Sequence, residues 1–184
     1  MFQFLHIPLQ AGSNRILDLM KREYHQEDFL DVVTKIKTKL PKLTLATDVI
    51  CGFPTETEQE FEETLKIIEK TRPNVVNISR FWKRPNTPAA IMQQLPGGET
   101  KIRSTKLKLL FEEISLKENQ AWIGWSGWII IDEKESKKET AVGRNFAYKP
   151  VVVKGTHPLG TKLFVKISAA TTYYLSGEID NTKL

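Results

Sequence analysis

The stretch TLATDVICGFPTETE, residues 44–58, decides the fold of this chain. Its first half is apolar enough for a β-strand buried on both faces, as the strands of parallel sheets usually are. A Gly-Phe-Pro turn follows. Thr55 and Glu58 have the spacing of a capping box at the start of a helix, and so do Thr57 and Glu60. α/β proteins bind ligands at such junctions, where a parallel strand ends and the next helix begins. The stretch therefore predicts a ligand site at the carboxyl end of the strand.

Strand and helix patterns alternate on both sides of this central strand. The pattern predicts strands over residues 2–10, 43–53 and 75–81, and helices over 15–22, 26–40, from Thr57 to before Pro73, and over 99–121. The order β-α-α-β-α-β-α predicts a parallel sheet with right-handed crossovers.

The pattern changes after residue 121. Five short strands are predicted over residues 128–132, 140–144, 148–153, 162–167 and 173–179. Closely spaced short strands separated by polar or Gly-containing turns are typical of a small antiparallel β-barrel. We therefore predict two domains, 1–121 and 122–184.

Charge and hydropathy indicate which partners and which compartment to expect for this chain. The net charge of +5 favours a polyanionic partner such as RNA, and residues 119–184 carry nine basic against six acidic side chains. A solvated surface explains this excess almost as well. The sequence shows neither an apolar run of membrane-spanning length nor a signal peptide, so we expect a cytoplasmic protein without a membrane partner.

The sequence offers little for metal or nucleophilic chemistry. Cys51 is the single cysteine, which excludes an internal disulfide and a cysteine-based zinc or iron–sulfur site within this polypeptide. We interpret it as a small buried hydrophobe. The three histidines lack metal-ligand spacing, and no catalytic triad, P-loop or dinucleotide fingerprint occurs.

Several polar residues follow or interrupt the predicted strands. Asp48 lies in an apolar strand, where a carboxylate is costly unless it binds a ligand or a neighbouring element satisfies it. Gln10 and Ser13 could likewise bind a ligand or cap the next helix. The turn at 52–54 presents backbone groups and an aromatic ring, although a purely structural turn is the commoner explanation. The basic side chains of Arg80, Lys83 and Arg84 lie at the end of the strand predicted over residues 75–81, at the same sheet edge as Gly52. They could contact phosphates there or simply be solvated.

Four phrases in order resemble the radical-SAM tRNA methylthiotransferases: HIPLQAGS (6–13), MKREY (20–24), TDVICGFPTET (47–57) and RPNTPAA (84–90). The variants KREY and CGFP, with RPNVVNISRF (72–81), resemble the archaeal and eukaryotic branch, which methylthiolates threonylcarbamoyladenosine beside the tRNA anticodon. The tail, with GR (143–144), YKPVVV (148–153) and LG (159–160), is similar to the RNA-binding TRAM domain.

The resemblance implies an α/β fold: the second half of a partial (β/α) radical-SAM barrel, followed by a TRAM β-barrel. It implies S-adenosyl-L-methionine (SAM) as cofactor and tRNA as partner. The family also carries 4Fe-4S clusters, whose ligands are absent from this chain. The family's cluster-binding domains would precede residue 1, so a separate or missing amino-terminal half is a further expected partner.

The resemblance also assigns site residues. On the SAM or substrate side it implies Gln10, Ser13, Asp48, Gly52, Phe53, Pro54 and Phe81. For RNA binding we predict Arg80, Lys83, Arg84, Arg144, Tyr148 and Lys149. Lys83 and Asn86 stand where the family usually has Pro and Gly, a departure that bears on the conformation of this rim loop.

Two functions are consistent with these observations. The first is the carboxyl-terminal part of an enzyme that converts N6-threonylcarbamoyladenosine to its 2-methylthio derivative, inactive without the cluster-binding half. The alternative is a non-catalytic tRNA- or RNA-binding module. A half barrel also predicts an unpaired strand edge at residues 2–10, through which two copies could associate.

Overall fold

The structure, a computed structural model, describes residues 2–135, 139–180 and 182. The chain divides into two compact units. The sheet unit comprises Leu5–Pro41 and Leu45–Ile114, and the barrel unit comprises Met1–Phe4, Lys42–Thr44 and Ser115–Leu184. The division into domains 1–121 and 122–184 was made from the sequence, and it stays a prediction.

The sheet has three strands in the order β1-β2-β3: Phe4–His6 (β1), Thr44–Cys51 (β2) and Val75–Arg80 (β3). Strands β2 and β3 run parallel, with Asp48 opposite Asn77. Strand β1 is much shorter than predicted. Pro8 lacks the N–H group that a continuing ladder requires, and only Gln10 beyond it forms a further parallel bridge, to Val49.

Five helices accompany the sheet: Asn14–Leu19 (α1), Gln26–Lys39 (α2), Glu58–Thr71 (α3), Pro88–Ile91 (α4) and Gly97–Gln120 (α5). Side chains of α3 and α5, among them Phe61, Ile68 and Leu107, join the buried core around β2. The sequence pattern missed α4, a single turn with Pro88 at its first position. Among the described residues, no helix is both long and apolar enough to cross a membrane.

Glu60 ties α1 to α3. Its carboxylate accepts hydrogen bonds from Arg15 Nε and Nη2 at 2.7 Å each, and one from Ser13 Oγ at 3.0 Å. It also accepts the Thr57 N–H at 2.8 Å, while Thr57 Oγ1 accepts the Glu60 N–H, which confirms the predicted capping box. The hydrogen bond from Arg15 is the main reason that the pKa of Glu60 is lowered to about 2.

The barrel unit contains the five strands expected. They are Ser126–Glu135 (β4), Thr140–Arg144 (β5), Pro150–Lys154 (β6), Lys162–Ala170 (β7) and Leu175–Ile179 (β8), closed in the order β4-β5-β6-β8-β7. All neighbouring pairs are antiparallel except β6 and β8, which run parallel at Val151 and Val152. Inward side chains, including Ile129 and Val165, form its buried core. The predicted α/β fold with a small β-barrel is confirmed.

Replacing Glu60 by Gln should change how stability depends on pH. A carboxylate whose pKa is lowered on folding stabilises the fold above its ordinary pKa of 4.5, and that contribution is lost as pH falls towards about 2. We therefore expect urea midpoints of the Glu60→Gln variant to fall less steeply than those of the wild type between pH 4.5 and 2. Glu69→Gln, at an exposed position of α3, is the control and should keep the wild-type slope. Identical slopes for Glu60→Gln and the wild type would contradict the role of this carboxylate.

Candidate functional site

A cavity of about 640 Å³ opens in the sheet unit where β2 and β3 end. Such a volume lies in the range of small-molecule sites, roughly 300–1,000 Å³. The predicted site residues that line it are Gln10, Asp48, Phe53, Arg80, Phe81 and Arg84. Ser13, Gly52, Pro54 and Lys83 lie outside its lining.

Asp48 faces the cavity with its carboxylate held from both sides. His6 Nε2, on β1, lies 2.9 Å from Oδ2, and Asn77 Nδ2, on β3, donates to Oδ1 at 2.8 Å. The side chain nevertheless remains 30% exposed. Neighbouring strands therefore satisfy and orient the carboxylate, and its open side faces the cavity.

Gln10 and Ser13 have different surroundings. Gln10 is buried and its backbone has a positive φ of 67°, a conformation that is uncommon outside glycine. Its N–H donates to Asp48 O at 2.8 Å and its carbonyl accepts the Ile50 N–H at 2.9 Å, which fixes the residue beside β2. Ser13 instead caps α1 and donates to Glu60. Of the two readings that the sequence leaves open for Ser13, its hydrogen bonds fit the capping one.

The turn after β2 depends on Gly52. Its φ is +75°, and a Cβ there would lie 2.4 Å from Thr100 Oγ1 on α5. A side chain would therefore be both strained and obstructed. The Gly52 N–H donates to Glu56 Oε2 at 2.9 Å, so the turn is closed by a side chain four residues later.

Glu56 and Arg103 form a buried ion pair beneath this turn. Arg103 Nη1 donates to Glu56 Oε2 at 2.8 Å and to the Glu56 carbonyl oxygen at 3.0 Å, and both side chains are nearly inaccessible. Burial raises the pKa of Glu56, and the hydrogen bond from Arg103 opposes that rise. The pair thus joins the start of α3 to α5 through the turn.

The Gly52 turn brings Phe53 against Phe81, the residue that follows β3. Their ring centroids lie 5.2 Å apart with the planes at 76°. Phe53 is buried and Phe81 is partly exposed, and both line the cavity. The two rings form an apolar wall onto which a planar ligand can pack.

The rim of the cavity is basic. Arg80 and Arg84 were predicted there, and Arg22, which follows α1, joins them in the lining. The sequence pattern did not predict roles for Arg22, Glu56 and Arg103 at this site. No short-range pattern connects them to the turn, although MKREY (20–24) contains Arg22.

The described residues contain no group of three or more His, Cys, Asp or Glu side chains that could hold a metal ion. Cys51 is fully buried, and burial raises the pKa of its thiol to about 12. A thiol in that state is a poor metal ligand, since metals bind the thiolate.

The barrel residues predicted to bind RNA are largely engaged within the barrel unit. Arg144 forms ion pairs with Asp132 at 2.8 Å and with Glu133, and its guanidinium lies 4.9 Å from the centre of the Tyr148 ring. Lys149 is buried and its ammonium donates to Asn119 Oδ1 at 2.7 Å. Lys149 is therefore held inside the barrel unit, and its role as an RNA contact stays a prediction.

Comparison with known proteins identifies both parts of the chain. A model of the radical SAM superfamily matches residues 2–68, and a model of the TRAM domain matches residues 129–179. A probable threonylcarbamoyladenosine tRNA methylthiotransferase of Archaeoglobus fulgidus is 39% identical over 97% of the chain. The threonylcarbamoyladenosine tRNA methylthiotransferases of Drosophila melanogaster and Homo sapiens are 39% and 37% identical over 97% and 96% of it.

The chain matches the carboxyl-terminal part of this methylthiotransferase family. It spans 41% of the length of the archaeal methylthiotransferase, 32% of the fly protein and 30% of the human one. The predicted family resemblance is confirmed. Coproporphyrinogen III oxidase of Escherichia coli, a radical SAM enzyme, has a similar fold, with a TM-score of 0.52 and 18% identity over 91% of this chain and 41% of its own.

Replacing Arg103 by Met should destabilise the sheet unit, because Glu56 would remain buried without its cation. We expect the free energy of unfolding, from urea titration, to fall by about 3–5 kcal/mol. The loss should grow as pH rises, since the raised pKa of Glu56 makes its charged form the unfavourable one in the folded state. Lys101→Met, at an exposed position of α5, is the matched control.

The double variant Glu56→Gln/Arg103→Met separates the cost of leaving a buried charge unpaired from the cost of changing the packing at residue 103. Gln keeps an acceptor for the Gly52 N–H and removes the uncompensated charge, so the double variant should be more stable than Arg103→Met alone. If Arg103→Met costs less than about 1 kcal/mol, the range of an exposed ion pair, the buried pair does not hold the turn.

Proposed function

We propose that this chain is the carboxyl-terminal part of a tRNA methylthiotransferase that converts N6-threonylcarbamoyladenosine to its 2-methylthio derivative. The observation that carries the proposal is the match to these enzymes along nearly the whole chain. The cavity at the ends of β2 and β3 lies where an α/β fold binds its ligand.

The residues of the cavity fit SAM. The Phe53 and Phe81 rings offer a packing surface for the adenine, and Gln10 and Asp48 offer polar groups to the rest of the molecule. Bound beside a reduced cluster, SAM supplies the hydrogen-abstracting radical and the methyl group of radical-SAM methylthiolation. The side chains of this segment would bind SAM, orient it and exclude water from one side.

The residues of this chain do not fit an iron–sulfur cluster. Such clusters are held by several cysteine thiolates, and the sequence contains Cys51 alone. We propose that cysteines outside these 184 residues complete the enzyme, so that the chain supplies part of the barrel wall and the RNA-binding domain.

The basic rim suits a polyanionic substrate. Arg22, Arg80 and Arg84 surround the cavity mouth with exposed guanidinium groups, which bind phosphates in bidentate fashion. We propose that they hold the anticodon arm of the tRNA while its modified adenosine enters the cavity.

A non-catalytic RNA-binding module is the second candidate. The observation that favours it is the single cysteine, which is buried and whose pKa is raised. SAM binding by the cavity distinguishes the two candidates, because a module that only binds RNA does not need a SAM-binding site.

Replacing Phe81 by Ala should weaken SAM binding by the chain about tenfold, since one ring of the apolar wall is lost. Isothermal titration with SAM measures the change. Leu109→Ala, at an exposed position of α5, is the matched control and should bind as the wild type does. Absence of saturable binding, or equal affinity for Phe81→Ala, would remove the support for a SAM site.

Anaerobic reconstitution of the chain with iron and sulfide should yield no four-iron cluster. The physical reason is the lack of thiolate ligands beyond the buried Cys51. Iron and sulfide analysis with the visible absorption spectrum measures the outcome, and Cys51→Ser should behave identically. A stoichiometric cluster that disappears in Cys51→Ser would refute the prediction.

A further inference from the structure

One face of the barrel carries aromatic side chains between two lysines. Strands β4 and β7 pair with Ser126 opposite Lys166, Trp128 opposite Phe164 and Ile130 opposite Lys162. Side chains alternate along a strand, and between these residues lie the inward-facing Ile129, Leu163 and Val165. We call the six outward residues Ser126, Trp128, Ile130, Lys162, Phe164 and Lys166 the β4–β7 face.

Trp128, in the middle of this face, is open to solvent. Trp128 and Phe164 meet edge to face with centroids 5.3 Å apart, and Trp128 is 50% exposed. A contiguous exposed apolar patch bordered by polar side chains often marks an interaction site, and here Ile130, 39% exposed, lies two residues from Trp128 on the same face. The edge-to-face contact fixes the orientation of the indole, whose exposed surface can then stack on a planar group.

The two lysines are the available cations of this face. Both are exposed, and neither pairs with a carboxylate within the part of the chain that the structure describes. They are four positions apart on β7, a distance of about 13 Å, so they can contact different phosphates. Arg144, by contrast, is held by Asp132 and Glu133 and would have to exchange these carboxylates for a phosphate.

A groove of about 580 Å³ extends from this face towards β5. Its lining comprises Trp128, Ile130 and Lys162 of the β4–β7 face, Arg144 to Phe146 at the end of β5, and Phe2. Phe146 is 37% exposed and offers a second ring. The groove thus combines flat apolar surfaces with cations at its border.

We propose that the β4–β7 face and its groove bind unpaired RNA nucleotides, with a base stacked on Trp128 and phosphates held by Lys162 and Lys166. Aromatic platforms bordered by cations bind single strands in this way. A duplex keeps its bases stacked on one another, which leaves none for the indole. The inference rests on the proposed tRNA-related function and adds which residues bind the RNA and which form of RNA they select.

The test measures binding of a fluorescein-labelled oligouridine 12-mer to the 184-residue chain by anisotropy at several salt concentrations. Trp128→Ala should weaken binding about 5-fold or more, and Trp128→Phe should restore most of it. Lys162→Gln/Lys166→Gln should lower the slope of log affinity against log salt by about 1.4, or 0.7 for each lost phosphate contact. Thermal melting confirms that each variant is folded.

Lys154→Gln is the matched control, because Lys154 is an exposed lysine on β6, which is not adjacent to β4 or β7. It should leave the affinity for oligouridine within about twofold of the wild type. Wild-type affinity in Trp128→Ala, or a hairpin duplex bound as tightly as the 12-mer, overturns the inference. If the chain binds a tRNA transcript but not oligouridine, the inference fails while the proposed function stands. If it binds neither, both fail.

Discussion

The sheet unit depends on one buried interaction, the ion pair of Glu56 with Arg103. The same Glu56 oxygen accepts the Gly52 N–H and the Arg103 guanidinium, so the end of β2, the start of α3 and the middle of α5 meet at a single carboxylate. A buried ion pair contributes little net stability compared with apolar packing, whereas removal of one partner is strongly destabilising. Its effect is therefore to specify geometry: the turn has one conformation in which both groups are satisfied.

That geometry determines the cavity. Because the turn is closed beneath Gly52, Phe53 is buried against Phe81, and two segments that follow different strands form one apolar wall. Asp48 is oriented in a comparable way, by His6 from β1 and Asn77 from β3. Residues held by neighbouring elements lose little conformational entropy when they bind a ligand. The part of the cavity lined by these residues is thus preorganised.

The barrel unit shows how the partners of a charged side chain change its role. Arg144 and Lys149 are basic residues in a tail similar to the TRAM domain, yet one is paired with two carboxylates and the other is buried against Asn119. Lys162 and Lys166 lie at outward positions of β7 and flank an aromatic pair. The register of β7 with β4 brings Phe164 beside Trp128. The two residues are 36 positions apart in the sequence.

The sequence alone was enough to predict the order of the elements apart from α4, the change to short strands after residue 121 and the family resemblance. Hydrophobic periodicity, capping signals and turn residues are local, and each acts over a few positions. The family resemblance also predicted Gln10, Asp48, Phe53 and Phe81 as site residues, and all four line one cavity. Only the tertiary structure decided that Ser13 caps a helix, that Glu56 and Arg103 close the turn, and that Lys149 is buried. The physical reason is that burial and pairing of polar groups depend on contacts between distant segments, which no local pattern encodes.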